Sequence, residues 1–190
     1  MERAQRISYT DTHMTTPFLI LVDGPMGSGK TTTTKTLSQK LPDAARVALP
    51  DIKRLVPNYK ENEKTLTVVR EVMRAMIDTY LESDVSVIVE QITRAEGVAL
   101  LRSIADKHGA AFYAYRLTAP KDIRLQRVHE RTREMMSVQA LSAQKIDELA
   151  GYFEPNDAFY ANNPVNEAEV IDTQHLSPDQ VADLIISKLA

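Results

Sequence analysis

The chain has 190 residues, 43% of them hydrophobic and 26% charged, with no cysteine and a formal net charge of -3. That length fits one domain with a full core, and the lack of cysteine excludes disulfides, thiolate metal sites and cysteine nucleophiles. The slightly acidic balance argues against bulk electrostatic binding of DNA or RNA, and no apolar run approaches the roughly 18 residues of a membrane span.

Residues 1–16 are polar and lack the apolar centre of a leader peptide. They read as a flexible N-terminal arm, with Met14 as an alternative start, ahead of a domain over 17–190 in a cytoplasmic protein. From residue 17 onward strands alternate with helices. Phe18-Leu19-Ile20-Leu21-Val22 is an apolar run of buried-strand length, giving a first strand at about 18–23. A helix follows from Lys30 to Lys40, then a short strand at Arg46-Val47-Ala48-Leu49. Over 62–83 the apolar positions Leu66, Val69, Val72, Met73, Met76, Ile77, Tyr80 and Leu81 recur at helical steps. Val85 to Glu90 reads as a strand, 95–108 as a helix ended by Gly109, and Ala111 to Leu117 as a fourth strand. An arginine-rich helix over 121–135 and another over 139–150 come next. Glu154 to Pro164 reads as an irregular connection. A short last strand at Glu169-Val170-Ile171 precedes a terminal helix, capped by Ser177 with Pro178 in its first position. This alternation predicts an α/β fold, an open parallel sheet with helices on both faces. Ligands of such sheets sit beyond the carboxyl ends of the strands, which directs attention to Pro50-Asp51, Glu90-Gln91, Thr118 and Asp172-Thr173.

Gly24-Pro25-Met26-Gly27-Ser28-Gly29-Lys30-Thr31 fits G-x-x-x-x-G-K-[ST], the phosphate-cradling P-loop, in its proper strand–turn–helix setting. Glycines let the backbone fold back so that several N–H groups share one concavity, and the helix N-terminus adds positive charge. Gly24, Gly27, Ser28, Gly29, Lys30, Thr31 and Thr32 are therefore candidate nucleotide contacts. Lys30 is placed to reach the β- and γ-phosphates, Thr31 to place its hydroxyl on Mg²⁺, and Thr32 to touch the α-phosphate.

Phosphoryl transfer also needs a group to orient the acceptor and charge over the moving phosphate. Asp51 reads as a base for an acceptor hydroxyl, or as the N-cap of a helix over 52–56. Glu90, at a strand tip, reads as a holder of a magnesium-bound water or attacking group, or as a solvated strand end. Arg124, Arg127 and Arg131 share a helical face and read as a lid over the γ-phosphate, or as a solvated stripe. Asp23 reads as a brace for the loop. His13, His108, His129 and His175 show no metal-ligand spacing. Met73 and Met76 read as core. Tyr59 and Tyr80 read as core or surface, with an acceptor-pocket role as the alternative.

Val22 to Thr31 is similar to the P-loops of the nucleoside monophosphate kinase-like superfamily. Asp51-Ile52-Lys53-Arg54, Arg116 to Pro120 with the arginines behind it, and Val170 to Thr173 with Leu176-Ser177-Pro178 resemble the zeta-toxin, chloramphenicol phosphotransferase, gluconate kinase and polynucleotide kinase subset. The resemblance implies a three-layer α/β/α fold with a five-stranded parallel sheet of order 2-3-1-4-5 and a short helical lid. It also implies ATP with Mg²⁺ and transfer of the γ-phosphate to an acceptor. Asp51 maps to the family's base, Arg127 or Arg131 to its lid arginine; Glu90 stands where aspartate is commoner. The expectation is an ATP-dependent kinase acting on a small-molecule hydroxyl. Its alternatives are a nucleotide or polynucleotide 5′-end kinase, and an ATP-binding regulatory module with little turnover. Neither an Asn-Lys-x-Asp motif nor an Asp-x-x-Gly after the third strand is present, which argues against a GTPase switch.

Overall fold

β1 (Phe18–Asp23) is buried at all six positions, as a central strand must be when helices cover both faces of its sheet. The computed structural model describes residues 16–56, 63–135 and 151–189. Within them β1, β2 (Ala45–Ala48), β3 (Val87–Glu90), β4 (Ala111–Thr118) and β5 (Glu169–Asp172) pair in parallel in the order β2-β3-β1-β4-β5. The described helices are α1 (Lys30–Lys40), α2 (Leu49–Arg54), α3 (Glu63–Glu82), α4 (Ala95–Lys107), α5 (Lys121–Met135), α6 (Phe153–Asn162) and α7 (Pro178–Ile186). This is the expected α/β fold with the expected strand order.

Side chains alternate across the sheet because the strand period is two. Leu19, Leu21, Val87 and Val89 face one core, filled by Ile52 of α2, Val69, Met73, Ile77 and Leu81 of α3, and Val98, Leu101 and Ala105 of α4. Phe18, Ile20, Val22, Ile88 and Leu117 face the other, filled by Leu37 of α1 and Val181, Ala182 and Ile185 of α7. Each fully buried Leu, Ile or Val contributes about 1.5–3 kcal/mol relative to its exposed state. α1 and α7 are further tied by Lys40 Nζ, which donates to Asp183 at 2.7 Å. Ser177 and Gln180 start α7 with a reciprocal capping box.

Register fixes the carboxyl edge of the sheet. Val22 and Ala48 flank Glu90, and Asp23 lies opposite Arg116. The P-loop leaves β1 at this edge, between β3 and β4.

Two expectations need correction. Glu154 to Pro164 is not irregular: residues 153–162 form α6. Pro155 sits in the first turn, where its missing N–H removes no helical hydrogen bond. The helix near Asp51 starts at Leu49, capped by Ala48, so Asp51 lies inside its first turn and is not its N-cap. Val72 and Tyr80 of α3 are exposed; the buried stripe is the narrower Val69–Met73–Ile77–Leu81 row. The helix expected over 139–150, and with it Tyr59, His13 and Met14, lies outside the described residues.

Candidate functional site

The loop from Gly24 to Gly29 leaves no space for side chains at two of its glycines. Gly24 has φ 144° and a Cβ there would meet Leu117 O at 2.2 Å; Gly27 has φ 81° and a Cβ would meet Arg124 O at 2.4 Å. Both obstacles are backbone and cannot swing aside. Gly29 then enters α1 from a left-handed conformation, and no side chain caps that helix. Uncapped first-turn N–H groups are the donors an anion uses.

Lys30 Nζ donates to Gly24 O at 2.6 Å and Pro25 O at 3.0 Å, so its ammonium lies against the first turn of the loop. Next to it, Thr31 Oγ1 donates to Glu90 Oε1 at 2.5 Å, and Thr34 Oγ1 to Glu90 Oε2 at 2.9 Å. Glu90 is only 2% exposed, and a buried carboxylate needs such partners. Its charge is matched by Arg46, whose Nη2 lies 2.5 Å from Oε2. The same guanidinium holds Asp51 through Nη1 at 2.7 Å, and Arg54 holds the other Asp51 oxygen at 2.5 Å. Arg46 thus joins the two candidate carboxylates.

Burial is the largest influence on Lys30 and lowers its pKa from 10.5 to about 8; Asp23 and Glu90 oppose it, while Arg131 and Arg124 add to it. The folded value lies below the unfolded one, so between about 8 and 10.5 the unfolded chain binds more protons and stability rises with pH. The affinity of a polyphosphate held by this ammonium would have the opposite sign, because the neutral amine gives up the charge. The dissociation constant for MgATP is therefore expected to rise above pH 8, approaching about tenfold per unit, and to stay flat in Lys30→Met. Calorimetric titration between pH 6.5 and 9.5 checks both curves.

α5 and α6 brace the loop from its other side. Arg124 Nη1 donates to Met26 O at 3.2 Å, and Nη2 pairs with Asp157 at 2.8 Å. Met26 N–H donates to Asn156 Oδ1 at 2.7 Å. Tyr160 Oη lies 2.7 Å from Asp23 Oδ1 and 2.6 Å from Gly24 O, and accepts from Gly24 N–H at 3.2 Å. Burial, then the Asp23 charge, push the Tyr160 phenol pKa well up, so it stays a hydroxyl. Arg116 holds Asp23 Oδ2 through Nε at 3.0 Å and Nη2 at 2.8 Å. Arg127 donates to Thr173 Oγ1 at 2.9 Å and Thr173 O at 2.7 Å, and Thr173 Oγ1 lies 3.1 Å from Ser28 O.

A cleft of about 1390 Å³ runs along this edge. Gly27, Ser28, Gly29, Lys30, Thr31, Thr32, Glu90, Arg127 and Arg131 all line it, so most of the expected site residues share one cavity. Gly24 shapes the loop from behind. Asp51 turns instead toward Arg46 and Arg54, while its neighbours Pro50 and Lys53 form the wall. Arg124, expected over the phosphates, is a buried brace of the loop. Asp23 is the brace expected of it. Arg46, Arg116, Asn156 and Tyr160 were not singled out; the only hint in the sequence is that α6 places Asn156 and Tyr160 four residues apart, on one helical face.

Hard oxygens from Thr31 and Glu90, 2.5 Å apart, suit Mg²⁺, which keeps most of its ligands as water and phosphate oxygens. The donor set and the uncapped loop fit a magnesium polyphosphate. Fold and loop together are those of a P-loop α/β domain with a parallel 2-3-1-4-5 sheet. The chain belongs to the AAA domain family, whose model matches residues 19–156. No curated protein sequence matches it significantly. Among solved structures it is similar to a kinase candidate from Chloroflexus aurantiacus, with TM-score 0.65, 16% identity, and 92% of this chain and 96% of that one covered. It is also similar to the Mycobacterium tuberculosis APS kinase in complex with AMPPNP and APS (TM-score 0.61, 16% identity, coverage 90% and 96%). A third is the Deinococcus radiodurans tunicamycin resistance protein (TM-score 0.59, 19% identity, coverage 92% and 96%). At these identities the likeness is one of fold.

Proposed function

We propose that the protein transfers the γ-phosphate of ATP, with Mg²⁺, to a hydroxyl of a small-molecule acceptor. The observation that carries this reading is convergence. The uncapped start of α1, Lys30, and the Thr31–Glu90 pair open into one cleft, and that cleft continues past them between α2, α3 and α4. The continuation provides room for a second substrate beside the triphosphate. Fold likeness to an APS kinase holding AMPPNP and APS supports the two-substrate reading.

In this reading the amides of residues 27–32 and Lys30 bind the polyphosphate, and Thr31 and Glu90 hold the metal. Magnesium supplies charge neutralisation of the phosphate oxygens. Arg127 and Arg131 face the moving phosphoryl group from α5. Asp51, next to the wall residue Pro50, takes the acceptor's proton after one of its guanidinium partners yields an oxygen and lets the carboxylate turn to the cleft.

Asp51→Asn is expected to lower kcat by about 10²–10⁴, the usual weight of a general base, with the MgATP dissociation constant unchanged. Glu90→Gln should instead raise the magnesium concentration needed for half-maximal rate. Coupled ADP-release assays on both variants with a responsive acceptor check this. ADP release that ignores added acceptor and is the same in Asp51→Asn would contradict it.

A further inference from the structure

α6 takes two N–H groups from the first turn of the P-loop. Tyr160 Oη accepts from Gly24 N–H at 3.2 Å, and Asn156 Oδ1 accepts from Met26 N–H at 2.7 Å. The two side chains share one face of the helix, a turn apart. Between them Asp157 pairs with Arg124 at 2.8 Å. These neighbouring contacts fix α6 to the loop, and Pro155, Asn156 and Phe159 of the same helix line the cleft.

The bond from Met26 also orients the asparagine. A side-chain amide has one accepting end and one donating end. Met26 N–H can only donate, so it takes Oδ1 and turns Nδ2 away from the loop backbone. Nδ2 has no partner among the described residues. Its two N–H donors are left for an oxygen that enters the cleft. Lys30 locates such an oxygen. Its ammonium rests on Gly24 O and Pro25 O, beside Met26 and away from the amides that open α1. A polyphosphate laid from those amides toward Lys30 brings its last phosphate up to Asn156.

We propose that Asn156 donates through Nδ2 to the terminal phosphate of the bound triphosphate, and so makes the site select triphosphate over diphosphate. This rests on the phosphotransferase reading and adds a residue to it. The donor is held in place before the nucleotide arrives, because Met26 fixes the amide plane and Arg124 and Tyr160 fix the helix. A donor positioned this way needs no reorganisation to meet the phosphate charge.

The test is calorimetric titration of the full chain in magnesium, with AMP-PNP in one arm and ADP in the other. Asn156→Asp keeps the side chain's shape and the acceptor for Met26 N–H, but sets a negative charge where the donor was. Asn156→Ala removes donor and acceptor together. The alanine variant should bind AMP-PNP about tenfold more weakly, the loss of one hydrogen bond to a charged group. The aspartate variant should lose more, by like-charge repulsion, while its melting temperature holds. ADP affinity should change by less than about twofold in both, on the order of a surface substitution. Equal weakening of AMP-PNP and ADP, or no weakening of either, would overturn the proposal and leave Asn156 a brace of the loop. If the aspartate variant does not fold, the alanine variant decides by the same comparison: a loss confined to AMP-PNP supports the proposal, and a loss shared by ADP overturns it. Failure of AMP-PNP to bind the unchanged protein would overturn the phosphotransferase reading and this one with it.

Discussion

Lys30→Ala is expected to cut acceptor-stimulated ADP release by about 10²–10³, the loss that follows removal of one preorganised donor from a site of developing charge. Lys30 is held by two carbonyls of its own loop and partly neutralised by Asp23 and Glu90 nearby. In the proposed reading its ammonium exchanges those two carbonyls for phosphate oxygens. Stability should change little or rise, because burial disfavours the charge. A thermal melt beside the kinetic assay separates the two effects: activity falls while the melting temperature holds. A parallel collapse of both would mean that Lys30 is structural.

Arg116→Ala is expected to show the reverse, a large loss of stability by about 3–5 kcal/mol, the cost of leaving a buried charge without its partner. Asp23 is 1% exposed, and Arg116 gives both of the hydrogen bonds to its Oδ2. The remaining contacts, Tyr160 Oη at 2.7 Å and Thr93 N–H at 3.4 Å, reach only Oδ1. Arg116 also donates to Asn163 O at 3.1 Å, pinning the end of α6. Removing it should therefore loosen the whole brace behind the P-loop. Urea unfolding of Arg116→Ala beside Tyr160→Phe checks the ranking: the tyrosine variant loses one hydroxyl bond to the carboxylate but leaves its counter-charge, and should cost about 1.5–3 kcal/mol. Equal costs would contradict the picture of one charge pair holding the loop from below.

Much of the fold was legible because its signals are local. β1 is an unbroken apolar run, the loop glycines are spaced by a backbone requirement, and Ser177-Pro178 marks a helix start through capping chemistry alone. Glu90 was legible because a carboxylate ending an apolar run must lie at the sheet's edge. What surrounds the loop was not, since it depends on which strands and helices become neighbours. Arg116 reads as an ordinary residue of β4 until the register sets it opposite Asp23. Arg46 similarly looks like a strand's exposed position until Thr34, Glu90 and Asp51 gather around it. Helical spacing correctly grouped Arg124 with Arg127, but spacing tells which face a side chain shares, not what that face meets. Only packing shows that Arg124 turns to Met26 O and Asp157. α6 escaped notice because its sequence, Phe-Glu-Pro-Asn-Asp-Ala-Phe-Tyr-Ala-Asn, has weak helical patterning. Asn156, Asp157 and Tyr160 are partly buried because a polar loop is what they pack against.

Calorimetric titration of the protein with ATP, in the presence and absence of magnesium, tests the central assignment most directly. The cradle of residues 24–31 predicts one nucleotide per chain, bound more tightly with magnesium, with that gain reduced in Glu90→Gln. Absence of binding, or binding indifferent to both magnesium and Glu90, would contradict it.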